Sequence, residues 1–229
     1  MSVVFSPLTT STLRGQIAGQ IREAILHGEL KAGDRVVERT LANQFGASLT
    51  AIREAIITLE AEGFVTKKPN SSTYITKLDV SDLDSIFEVR QLLEPYVLSK
   101  VAATASAEQK ALLEKRYLDM VDAARQGDTR TYVIRDFAWH SELWTMAGNE
   151  YLQVALRRVT LPLFSFSSMR FVSGKAFDLL QDAISHSVLL EQVKSGDVEG
   201  ARKAMETTLA EWHVAIRNFV GSLDASQNT

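Results

Sequence analysis

Cysteine is absent from this 229-residue chain, which excludes disulfides, iron–sulfur clusters and thiolate zinc sites; any metal must be held by His, Asp or Glu. No run of about 18 apolar residues is available to span a membrane. The opening Met1-Ser2-Val3-Val4-Phe5 is too short and uncharged for a signal peptide, so a cytoplasmic location is expected. A glycine-rich phosphate loop, a Gly-x-Ser-x-Gly elbow and a nucleophile beside an evident base are also missing, which leaves little machinery for catalysis. Hydrophobic residues, by contrast, make up 45% of the chain, enough to build a core in two modest domains or one large one.

Charge is unevenly spread. The net value is −3, yet residues up to Lys77 carry nine basic side chains against seven acidic ones, about +2, leaving about −5 for the rest. A mildly basic head on an acidic body suits a protein that meets phosphate through one end.

The head reads as a DNA-reading module. A first helix is predicted from a cap at Ser11 or Thr12 through Leu13, Ile17, Ile21, Ala24 and Ile25, stopping at Gly28. A short helix over Glu38 to Phe45 follows the turn Lys31-Ala32-Gly33-Asp34. Then comes the tight turn Phe45-Gly46-Ala47-Ser48, with Gly46 suited to a left-handed helix end and Ser48 to capping the next helix. That next helix, running to Glu62, packs through Ile52, Ala55, Ile56 and Leu59 and keeps Leu49, Thr50 and Arg53 on its free side, where a recognition helix meets the major groove. Phe64-Val65-Thr66 and Tyr74-Ile75-Thr76 alternate as strands around a turn at Pro69-Asn70-Ser71-Ser72. The sum is a winged helix-turn-helix over residues 1–77.

Residues 78–229 read as helical almost throughout. Ser81 with Asp84 is similar to a capping box, and Leu83, Ile86, Phe87, Arg90, Leu93, Glu94 and Val97 recur at helical intervals. Pro95 lies inside this pattern and predicts a kink. Further helices are expected at about 107–125, 128–147, 150–172, 175–194 and 197–221, broken at Gly127, Gly148, Gly174 and Gly196. The expected fold class is mainly α, with the winged head followed by an all-helical antiparallel bundle.

These residues give the chain a resemblance to the GntR family of bacterial transcription regulators, in its FadR-like branch with a helical FCD domain. In the head the resemblance is carried by Gln16-Ile17, Ile21-Arg22-Glu23-Ala24-Ile25, Gly28-Glu29-Leu30, Gly33, Glu38-Arg39, Leu41-Ala42, Arg53-Glu54-Ala55 and Glu62-Gly63. In the body it rests on Val89-Arg90 with Glu94, Asp136 with His140, Gly148-Asn149, His186, and Gly196-Asp197 followed by Ala201 and Met205. It implies a homodimer whose heads bind a palindromic double-stranded DNA operator while the helical domains dimerise and sense a small carboxylate effector, in most such regulators as a repressor. Arg39, Ser48, Thr50 and Arg53 are then the expected DNA contacts, with Lys67 and Lys68 on phosphates. Arg53 has an alternative role as partner of a neighbouring acid, and Arg22 and Arg35 read as solvated surface. Two departures stand out. Where the family opens its recognition helix with Ser-Arg-Thr-Pro, this chain has Ser48-Leu49-Thr50-Ala51, and Leu49 cannot make an arginine's bidentate guanine contact. The wing tip carries Ser71-Ser72 in place of a glycine-rich turn.

The resemblance also implies a metal site. Asp136 and His140, four apart on one helix face, would join His186 in holding a divalent cation such as zinc, nickel or manganese. A fourth ligand is expected three residues after Met205, where Thr208 stands. His213, five residues further, turns roughly 140° around the helix and cannot replace it. Without metal, Asp136 and His140 would form a hydrogen-bonded pair in a polar pocket. Arg90 would anchor the effector carboxylate, or else pair with Glu94; Arg170, after Phe164-Ser165-Phe166-Ser167-Ser168-Met169, and Thr208 would line the same pocket. Trp139, Trp144 and Trp212 read as packing residues. A metal-dependent hydrolase built on the same Asp-His-His set would leave the winged head unexplained, and a degenerate regulator that senses ligand but binds DNA weakly would explain Leu49 and Ser71-Ser72.

Overall fold

The structure, a computed structural model, describes residues 12–26, 29–67, 72–172 and 178–227. Gly28, Lys68, most of the wing turn and Gly174 lie outside these residues, and so does the side chain of Arg170.

Helix α1 (Leu13–Leu26) begins where Thr12 Oγ1 accepts the amide of Gly15 at 3.2 Å, and it buries Ile17, Ala18, Ile21 and Ile25. Helix α2 (Glu38–Phe45) ends at Gly46, whose φ of 60° is the left-handed conformation that the turn requires. Helix α3 (Leu49–Ala61) is capped by Ser48, which accepts from Ala51 N, and buries the expected Ile52, Ala55, Ile56 and Leu59. The sheet contains one strand more than the sequence shows. β1 (Arg35–Val36), β2 (Val65–Lys67) and β3 (Thr73–Ile75) lie in the order β1-β3-β2, all antiparallel, with Arg35 opposite Tyr74 and Thr66 opposite Tyr74 on the other side. Two residues are too few to display a period of two, so β1 leaves no pattern to read.

The body consists of α4 (Val80–Thr104), α5 (Ala107–Arg125), α6 (Thr129–Met146), α7 (Glu150–Val172), α8 (Leu179–Ser195) and α9 (Val198–Gln227). Their starts follow side-chain caps: Ser106 with Gln109 forms a capping box before α5, Asp128 accepts from Thr131 N before α6, and Asp178 accepts from Gln181 N before α8. The capping box of α4 is Asp79 with Asp82, not Ser81 with Asp84: the acid two residues upstream lies in extended backbone and takes the cap. Ser81 is inside the helix, its carbonyl accepting from Ser85. α4 runs as one helix through Pro95, and α7 likewise through Pro162. In the bundle α4 packs on α9, α5 on α6 and α8, and α6 on α7.

Head and body share one core, continuous from Ile17 to Val220. The junction is close. Gly63, with φ 75°, sits so tightly on α7 that a Cβ there would lie 2.7 Å from the nitrogen of Pro162 and 2.9 Å from the carbonyl carbon of Leu161. Ser165 Oγ donates to the carbonyl of Glu62 at 3.3 Å, and an ion pair joins Glu23 of α1 to Arg130 of α6. Arg22 is not solvated surface: it is half-buried, forms a forked pair with Glu62 at 2.9 and 2.7 Å, and lies over the ring of Phe64. Arg35 is exposed, as expected.

Candidate functional site

Two sets of polar residues are separated by this junction. The first is the outer face of α3. Leu49 is 43% exposed, Thr50 and Arg53 stand beside it, and Ile57, one turn beyond Arg53, is also exposed. Arg39 is exposed on α2 and Lys67 at the end of β2, while Ser48 spends its hydroxyl on the cap. Arg53 Nε pairs with Glu38 Oε2 at 2.7 Å, although the arginine side chain remains 63% exposed. The neighbouring-acid role of Arg53 is thus present, and it holds the guanidinium at the surface between α2 and α3.

The second set is buried in the body. Arg90 from α4, Asp136 and His140 from α6, and Asp182 and His186 from α8 meet around a cavity of ≈ 40 Å³, closed by Val133, Leu163, Phe164, Trp212 and Ile216. By the usual volume per water such a space holds about three waters or a few heavy atoms. Helical spacing explains the convergence. Asp136 and His140 share one face of α6 at i, i+4, and Asp182 and His186 repeat that spacing on α8.

The ligating atoms of Asp136, His140 and His186 form a small triangle. His140 Nε2 and His186 Nε2 are 3.3 Å apart, and Asp136 Oδ1 lies 3.6 Å from the first and 3.2 Å from the second. The far nitrogens are turned toward acceptors. Nδ1 of His186 is 3.0 Å from the carbonyl oxygen of Asp182, which can only accept, so this nitrogen carries the proton. Nδ1 of His140 faces Glu94 Oε2 at 3.4 Å, an ion-pair distance. Both Nε2 atoms and Oδ1 therefore aim lone pairs at one point, and Oδ1 is buried without a hydrogen-bond partner. Metal bonds of about 2.0–2.1 Å in tetrahedral geometry separate ligand atoms by about 3.3–3.4 Å, which the triangle matches. The residues fit a divalent cation, with Nδ1 of His186 held from behind by the Asp182 carbonyl and Nδ1 of His140 facing Glu94.

Electrostatics follow from burial and pairing. Arg90 Nε donates to Glu94 Oε1 at 2.6 Å, both side chains being all but inaccessible. Burial pushes the Glu94 carboxyl up, but Arg90 and His140 outweigh it and bring it down to about 2. Burial lowers His140 on balance, against the pull of Glu94 and Asp136. His186 feels the same burial, yet the carboxylates of Asp136 and Asp182 raise it. Asp182 is raised to about 6 by burial and by the nearby charge of Asp136; its Oδ2 also receives the hydroxyl of the buried Tyr132.

Of the residues expected in the pocket, Arg90, Asp136, His140 and His186 line it together. Thr208 does not: it is buried on α9, but the wall from that helix is made by Trp212 and Ile216. Trp212 is therefore more than packing, with its Nε1 donating to Ser185 Oγ at 2.9 Å, whereas Trp139 and Trp144 are core residues. His213 faces away, as its spacing predicts, bonding Asp84 at 2.7 Å and stacking on Phe87. Asp182 was not expected. The i, i+4 rule that selects Asp136 with His140 selects Asp182 with His186 equally well.

Comparison with known proteins matches both parts of the chain. Residues 13–75 match the family model described as bacterial regulatory proteins, gntR family, and residues 85–211 match the FCD domain. A Bacillus subtilis relative, the uncharacterized HTH-type transcriptional regulator YdhC, is 30% identical over 191 residues, covering 82% of this chain and 84% of that protein. The probable D-xylose utilization operon transcriptional repressor of Paenarthrobacter nicotinovorans is 25% identical over 226 residues, 99% and 98% of the two chains. Among solved structures, Escherichia coli McbR/YncC superposes with a TM-score of 0.72 at 19% identity, covering 91% of this chain and 98% of that one, and so shares the fold.

Proposed function

Since the chain belongs to the GntR family of bacterial regulatory proteins and carries an FCD domain, we propose that this transcriptional regulator is a homodimeric repressor binding a palindromic operator through residues 1–77 and releasing it when a small carboxylate enters the cavity of residues 78–229. It is a DNA-binding regulator, not an enzyme. The observation that carries the sensing role is Arg90. The residue is 2% exposed, its Nε is taken by Glu94, and its Nη2 is buried without a partner beside the cavity. A buried donor without an acceptor costs about 1–3 kcal/mol, a cost that a ligand carboxylate removes on binding. Asp136, His140 and His186 would hold zinc, nickel or manganese; the bound ion supplies positive charge and an open coordination position for the same carboxylate. On the head, Arg39, Thr50 and Arg53 would read bases and Lys67 and Lys68 would meet phosphates, with Leu49 against a thymine methyl in place of a guanine contact.

The regulator can release DNA only if the effector binds one arrangement of the heads more tightly than the other. The test is fluorescence anisotropy at fixed moderate salt, with fragments upstream of the gene against random DNA, followed by titration with short carboxylic acids. Binding at least about a thousandfold tighter to one fragment, weakened by an acid, is the expected result. Equal weak binding to every fragment rejects the repressor reading and favours a degenerate sensor. His140→Ala should remove bound metal in elemental analysis and blunt the response to acid while leaving DNA affinity without ligand unchanged. Undiminished metal content rejects the assigned ligand set.

A further inference from the structure

The cavity has a charge balance that narrows the class of its ligand. Asp136 and Asp182 line it, Glu94 adds a third carboxyl behind Arg90 and His140, and Arg90 is the one guanidinium among its described lining residues. A divalent cation on the Asp-His-His triangle would bring the ionised site to neutrality. A plain monocarboxylate then adds an uncompensated negative charge to a largely buried space, and a dicarboxylate adds two; both are costly there. A ligand that carries its own positive charge beside the carboxylate adds none.

Asp182 is placed to meet that positive charge. It lines the cavity from α8, is steered from α6 by the hydroxyl of the buried Tyr132 on Oδ2, and forms no ion pair with a lysine or arginine among the described residues. It therefore differs from Glu94, whose charge is met by Arg90, and from Asp136, whose oxygen belongs to the metal triangle.

We propose that Asp182 makes this cavity selective for an α-amino acid zwitterion, whose ammonium group it receives while Arg90 Nη2 takes the carboxylate. The assignment rests on the reading of the cavity as the effector site. Tyr132 is a positioning residue in it, holding the Asp182 carboxyl at the angle the ammonium needs.

Isothermal titration of the metal-loaded full-length protein with the twenty common L-amino acids, each against the acid lacking its amine, tests the assignment. At least one amino acid should bind ten or more times tighter than its desamino counterpart. Asp182→Asn, which keeps an acceptor for Tyr132 but loses the charge, should reduce that preference to twofold or less without weakening the desamino acid, and its metal content should equal that of the native protein. Tyr132→Phe should give an intermediate preference. The proposal is overturned if no amino acid exceeds its desamino counterpart, or if Asp182→Asn retains the full preference. A control separates it from the reading beneath it. If desamino acids bind and Arg90→Gln abolishes their binding, the effector site stands and the ammonium assignment falls; if no acid of either kind binds, both fall.

Discussion

The exposed face of α3 and the cavity of the body each carry an arginine paired with glutamate, yet the two pairs obey different physics. Arg53 and Glu38 meet at the surface, 2.7 Å apart, where water and salt screen them and where either can be exchanged without consequence for the fold. Arg90 and Glu94 meet at 2.6 Å with both side chains sealed from water, and there neither can change alone. What this teaches is a division of labour. On the exposed face of α3 a residue can change alone, whereas Arg90 and Glu94 are locked to each other.

The sharpest way to break this comparison is to remove one acid from each pair. Glu94→Ala leaves a buried guanidinium unpaired and should cost about 3–5 kcal/mol in urea unfolding, whereas Glu38→Ala should cost under about 1 kcal/mol. Equal losses would show that burial does not set the difference. In the native chain the same contrast has a pH signature. Because the folded Glu94 value of about 2 lies below the ordinary 4.5, its stabilisation is present above pH 4.5 and is lost as pH falls from there toward 2. Thermal melts of native protein and Glu94→Gln should therefore differ most above pH 5 and converge in acid.

A second contrast separates two glycines with positive φ. Gly63→Ala meets the backbone of α7 as well as a left-handed backbone, and should cost at least about 3 kcal/mol; Gly46→Ala faces open space and should cost about 1–2 kcal/mol, both read from denaturant midpoints. Similar values at both positions would reject the tight seat. Arg53→Ala should cost about 1–3 kcal/mol in operator affinity with dimerisation unchanged and stability lowered by under about 1 kcal/mol, which anisotropy, sedimentation and urea unfolding would check together. An unchanged operator affinity would leave Arg53 only its pair with Glu38. Smallest is Ser48→Ala, which loses a cap worth about 1 kcal/mol and should lower the melting temperature by a few degrees.

Local signals were legible in the sequence. Gly46 and Ser48 give the end of α2 and the start of α3, and the stripe Ile52, Ala55, Ile56, Leu59 orients α3, because caps and helical periods act within a few residues. The triad Asp136, His140 and His186 was legible through resemblance, and the structure brings it together. Three features were not. The start of α8 at Leu179 depends on Asp178, which competes with other polar residues before it. The pair of Arg22 with Glu62 spans forty positions and has no periodic trace. Gly63 reads as a helix stop, which it is, but nothing in its neighbours announces Leu161 and Pro162 above it.

That seat of Gly63 on α7 has an evolutionary consequence. It is a joint of main chain on main chain, so its fit does not depend on which side chains the two partners carry, except for the absence of one methyl group at position 63. α7 shows Pro162 and Ser165 to the head and Leu163 and Phe164 to the cavity, so it is a wall shared by two rooms. Under the proposed roles, a change at Leu49 on the head or at Asp182 in the cavity would leave the wall between them as it was. On that assignment, new pairings of signal and target would need single substitutions on either side and no rebuilding of the connection.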